Sequence, residues 1–83
     1  MQQSARTSKQ IGAIIRRVRR NAGLTQAELG EKVGRRQATI SKLEKGEPAT
    51  QIVVLLDALT ALGLEMVIDK RGKVSNESLE DLF

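Results

Sequence analysis

Leu24-Thr25-Gln26-Ala27-Glu28-Leu29-Gly30-Glu31-Lys32-Val33-Gly34-Arg35-Arg36-Gln37-Ala38-Thr39-Ile40-Ser41-Lys42-Leu43-Glu44-Lys45-Gly46 carries the signals of two short helices and the turn between them. Thr25 followed three residues later by Glu28 is a capping box, in which each side chain accepts a hydrogen bond from the other residue's backbone N–H. It opens a short helix that buries Ala27, Leu29 and Val33, small Ala27 allowing a close approach. Gly34 ends that helix after about two turns, because a residue without Cβ accepts the positive φ of a tight reversal. A further helix runs from about Gln37 to Lys45 and buries Ile40, Leu43 and part of Ala38 or Thr39. Gly46 stops it and Pro48 prevents continuation. Two short helices joined by a glycine turn make either a plain αα-hairpin or a unit that presents its second helix to a ligand.

Working outward, Ile11, Ile15, Val18 and Ala22 recur at helical spacing after Ser8, the expected N-cap, with Arg16, Arg17, Arg19 and Arg20 between them on the other face. Gly23 closes this helix. On the other side, Thr50 is the expected cap of a fourth helix with a stripe of Ile52, Leu55, Leu56, Leu59 and Leu62, stopped by Gly63. The period then changes: Leu64–Asp69 is nearly alternating and partly β-branched, which predicts one strand. The expected fold is all-α, four helices over residues 8–63 followed by that strand at 64–69. A flexible arm at 1–7 and an acidic, flexible tail at 70–83 flank them. A lone strand needs a partner for its edge, and no second strand is evident. Pairing with another copy across a two-fold axis makes Leu64, Met66, Val67 and Ile68 dimerisation residues. The alternative is an extended tail packed on its own domain.

Composition narrows the chemistry. The chain has 83 residues with no Cys and no His, which excludes thiolate and imidazole metal sites, disulfides and histidine acid–base catalysis. No phosphate-binding glycine loop or nucleophile–base pair is present, so no enzyme activity, cofactor or metal is expected. No apolar run approaches a membrane span; a soluble, cytoplasmic protein with no membrane partner is expected. With one Phe, no Trp and no Tyr, stacking on single-stranded bases has almost nothing to work with. Residues 1–50 carry eleven Lys/Arg against four Glu, whereas residues 51–83 carry three Lys/Arg against six Asp/Glu. Such segregation suits one face that meets a polyanion.

The outward positions of the third helix, Arg36, Gln37, Ala38, Ser41, Lys42 and Lys45, are polar, small or basic, and Glu44 falls off this face. They match the edges of a major groove. Gln37 suits an adenine, Arg36 a guanine or phosphate, Ala38 a thymine methyl, and Ser41 and Lys42 either a base edge or the backbone. Gln26 opens the second helix, where free N–H groups and the dipole favour phosphate. Arg35, Thr39 and Lys45 are further phosphate candidates.

Residues 8–63, through "LTQAELGEKVG" and "QATISKLEKG", resemble the XRE/Cro family of helix-turn-helix repressors. The resemblance implies that the third helix reads bases, through Arg36, Gln37, Ala38, Ser41 and Lys42. Arg36 departs from the Ser or Thr usual at its position. A strand after "ALG", in place of a fifth helix, is similar to the HipB-type antitoxins, as is "RRQATISKLEKG". That resemblance implies paired strands in a homodimer, binding to operator DNA and a HipA-like kinase toxin as partner. A stand-alone repressor without a toxin is the other reading.

The arginines at 16, 17, 19 and 20 fit either a phosphate clamp or a solvated face. Glu28, Glu31, Glu44 and Glu47 read as capping and surface-pairing groups. Leu79, Leu82 and Phe83 lie within one helical turn of one another, as in a disordered terminus or a docking segment that orders on a partner.

Overall fold

Thr7, in extended conformation, caps the first helix by accepting from the Gln10 N–H at 3.1 Å. Ser8, the expected cap, is already helical and sends its hydroxyl to the Gly46 carbonyl at 2.8 Å. The computed structural model describes residues 3–70. They form four helices, α1 Ser8–Asn21, α2 Gln26–Val33, α3 Gln37–Lys45 and α4 Ile52–Ala61. The capping box at Thr25 and Glu28 is made in both directions. Gly34 and Gly46 close α2 and α3 with φ of 68° and 76°, values at which a side chain would be strained. The expected Thr50 cap is not used: Gln51 precedes α4 and makes no side-chain capping bond.

The core takes side chains from every helix: Ile15 from α1, Leu29 from α2, Ile40 and Leu43 from α3, and Val54 and Ala58 from α4. Ile15, Leu29 and Ile40 are fully buried, each stabilising the fold by about 1.5–3 kcal/mol. α3 packs against both α1 and α2, and α2 also packs against α4. The intimate approach between helices is made by glycines. A Cβ built on Gly12 would lie 2.4 Å from the Glu44 carbonyl oxygen and 2.6 Å from that of Leu43, so α1 crosses directly over the end of α3. A Cβ on Gly30 would lie 2.6 Å from the Arg35 carbonyl. Ala27, expected to provide the close contact within α2, is exposed; it lies on the outer side of the first turn.

Two other expectations change. The apolar stripe of α4 turns its Val54–Ala58 edge inward, with Leu55, Leu59 and Leu62 partly buried. Ile52 stays 67% exposed and Leu56 43%. The strand expected at 64–69 is not formed among the described residues. The Leu64 N–H donates to the Leu59 carbonyl at 2.8 Å, finishing the helix end. Met66, Val67 and Ile68 beyond it are exposed, since no described backbone lies alongside to complete a ladder.

Candidate nucleic-acid interface

Arg36 is the N-cap of α3 and makes no side-chain capping bond, so the leading N–H groups of that helix remain open at its positive dipole end. Arg36, Gln37 and Ala38 are exposed there. One turn on, Ser41 is partly buried and Lys42 exposed, and Lys45 ends the helix exposed. Thr39 is partly buried, which resolves the Ala38-or-Thr39 alternative in favour of Thr39. The outer surface of α3 therefore combines amide, small and cationic side chains. Its one acid, Glu44, is turned inward.

Glu44 is buried, and so is Arg19. Arg19 Nε donates to Glu44 Oε2 at 2.6 Å and its Nη2 to Oε1 at 3.0 Å, while Nη1 donates to the Leu24 carbonyl at 2.7 Å. Gln26 Nε2 donates to the same carboxylate at 3.1 Å. Burial pushes the Glu44 carboxyl up. The hydrogen bonds from Arg19 and Gln26, with the charges of Arg19 and Arg16, outweigh it and hold the group below the usual carboxylate range. The hydrogen bond to Glu44 raises the Arg19 guanidinium, against a smaller opposing effect of burial. This network ties α1, the start of α2 and α3 together and fixes the pose of the outer α3 face. It corrects the reading of Glu44 as a surface-pairing group and of Arg19 as part of an outward arginine face. Arg16, Arg17 and Arg20 do face outward. Both residues carried a signal: each stands four positions after a fully buried isoleucine, Ile15 or Ile40, on the core side of its helix.

Gln26 is thus held at the first turn of α2, with one amide hydrogen committed to Glu44. Arg35, in the α2–α3 turn, reaches α4, where its Nη2 lies 3.3 Å from Asp57 Oδ2. A cleft of about 320 Å³ opens beside it, lined by Arg35, Thr39, Lys42, Glu47, Gln51 and Val54. Thr39 and Lys42 of α3 thus share this cleft with Arg35, while Gln26 at the start of α2 is joined to α3 through Glu44. The dimerisation candidates Leu64, Met66, Val67 and Ile68 follow α4 instead. Leu79, Leu82 and Phe83 lie outside the described residues.

Residues 10–67 match the family described as "Helix-turn-helix domain". The chain is 35% identical over 71 residues to the antitoxin HipB of Escherichia coli K12, covering 86% of this chain and 81% of that protein. It is 41% identical over 56 residues to an uncharacterised HTH-type transcriptional regulator of Methanothermobacter thermautotrophicus, covering 68% of this chain and 81% of the relative. Two solved structures, a HipB–O4 20mer complex and a HipA–HipB–O2–O3 complex, superpose with a TM-score of 0.78 at 31% identity. Each covers 84% of this chain and 99% of its own. The chain belongs to the helix-turn-helix domain family, as a DNA-binding transcription regulator of the XRE type with the architecture of the HipB antitoxins.

Proposed function

We propose that this chain represses transcription as a homodimer on a palindromic operator, and that it is the autoregulating antitoxin of a HipBA-like operon. The observation that carries the reading is the acid-free outer face of α3, led by Gln37 at an open helix N-terminus and held by the Arg19–Glu44 pair. In this reading Arg36, Gln37, Ala38, Ser41 and Lys42 meet base edges, while Gln26, Arg35, Thr39 and Lys45 hold phosphates. The two α3 helices enter successive major grooves about 34 Å apart. Dimerisation is supported by the exposure of Ile52, Val53, Leu56, Met66, Val67 and Ile68. All six belong to α4 or the segment after it, and Leu64, Met66, Val67 and Ile68 would pair as strands. A HipA-like kinase is the proposed protein partner, a reading that rests on the relatives in which HipB occurs in complex with HipA.

Selection of bound duplexes from a random pool tests the reading. A palindrome with half-sites about one helical turn apart is expected. Gln37→Ala should weaken binding to it by about 1–3 kcal/mol and relax preference at one base pair per half-site. Equal weakening on every sequence would instead make Gln37 a phosphate contact. Capture of a kinase encoded beside this gene supports the antitoxin role; capture of this chain alone leaves a stand-alone regulator.

A further inference from the structure

Arg35 is poorly satisfied where it stands. Its contact with Asp57 is a single pair at 3.3 Å, with the two side chains 34% and 44% exposed. Its Nε is shut off from solvent and has no hydrogen-bond partner among the described residues. A guanidinium offers five donors in a fork that fits two oxygens of a phosphodiester side by side, and this one commits one of them to one carboxylate oxygen. The cleft beside it is lined by Thr39 and Lys42 of the proposed reading helix, with Gln51 ahead of α4 and Glu47 as its acid. A phosphate flanking the bases met by α3 would thus arrive next to Lys42, within reach of an arginine held on α4.

We propose that Asp57 is a positioning residue that competes with a DNA phosphate for Arg35. Resting on the DNA-binding reading above, this gives Asp57 a role in setting affinity and salt response without contact to DNA. The free chain stores Arg35 on Asp57; in the bound chain the guanidinium leaves the carboxylate and joins Lys42 on the backbone. Because the contact released is weak and partly exposed, the competition tunes binding rather than abolishing it.

A double-mutant cycle on the intact chain tests this, with a random-sequence duplex as probe over a range of salt concentrations. Asp57→Asn should tighten binding roughly 2- to 20-fold for two protomers. It should also steepen the dependence of log K on log salt slightly, because the wild-type chain must break an Arg35–Asp57 pair that salt weakens and the variant need not, while the number of phosphates met is unchanged. In an Arg35→Gln background the same substitution removes only the bare negative charge, so its fold-gain should be no more than about the square root of that seen with Arg35 present. Asp57→Ser serves as a second variant, and thermal melts confirm that each chain folds. Equal gains in the two backgrounds would overturn the proposal while leaving DNA binding intact. A wild-type chain that binds no duplex at low salt would overturn the DNA-binding reading, and this proposal with it.

Discussion

Replacing Arg19 by Met, with Glu44 kept, leaves a carboxylate in a site where its side chain is 2% exposed. Two hydrogen bonds to the carboxylate disappear. Removing one partner of a buried pair costs about 3–5 kcal/mol, and the Leu24 carbonyl loses its donor as well, adding about 1 kcal/mol. A chain of 83 residues is expected to be stable by about 4–12 kcal/mol, so Arg19→Met should consume much of that margin. Glu44→Leu should fall in the same range, because it strands the guanidinium. The double variant Arg19→Met/Glu44→Leu removes both charges together and should recover most of the loss, a coupling of at least about 2 kcal/mol. Urea unfolding followed by far-ultraviolet circular dichroism reads all four chains, since there is no Trp to report by fluorescence. Protein concentration must be held fixed, because the proposed dimerisation would feed into apparent stability. If each single substitution costs under about 1 kcal/mol and the two add, the pair behaves like an exposed surface bridge. α3 would then not be held in place by this pair.

Glu44 also makes acid stability testable. Its folded-state pKa lies below the ordinary value, so its contribution is fully present above about pH 4.3. It is lost as pH falls through the lower folded value. Denaturant midpoints of the wild type should drop across that window, whereas Glu44→Gln should be less stable at neutral pH and flatter below it. Gly12→Ala ought to destabilise by about 1–3 kcal/mol in thermal or urea melts, because the new methyl meets backbone oxygens that cannot step aside. At an unobstructed helical site the same change would instead stabilise by about 0.4–1 kcal/mol. Thr25→Ala removes the hydroxyl that accepts from the Glu28 N–H at 3.0 Å and should cost about 0.5–2 kcal/mol by urea unfolding.

What was legible in the sequence was whatever rests on neighbours along the chain. Thr25 and Glu28, Gly34 and Gly46 act within one helical turn, and their roles read directly from spacing. Helical period also named Ile15, Leu29, Ile40 and Leu43 as inward. What period does not say is which helix arrives opposite, and at what distance. Arg19 and Glu44 are 25 residues apart and look like ordinary surface charges until α1 is laid across α3. The space at Gly12 has meaning only at that crossing. Likewise Ile52 and Leu56 belong to the apolar side of α4 by spacing, but the four helices are too few to cover that whole side. The outer positions of α3 were easier to read, since identifying an exposed polar face requires only the inward positions.

The crossing at Gly12 bears on whether the reading unit is portable. Part of the floor beneath α3 is supplied by α1, the first helix of the chain, and Ser8 bonds to the carbonyl that ends α3. A peptide containing only α2, the turn and α3 would carry every side chain proposed for the groove and yet lack half of their support. Transplanting residues 24–46 into another scaffold should therefore fail unless that scaffold brings a glycine-notched helix of its own. Proteolysis that removes α1 would unseat α3 without touching one residue of that helix, and chain synthesis would have to reach α3 before α1 finds its place.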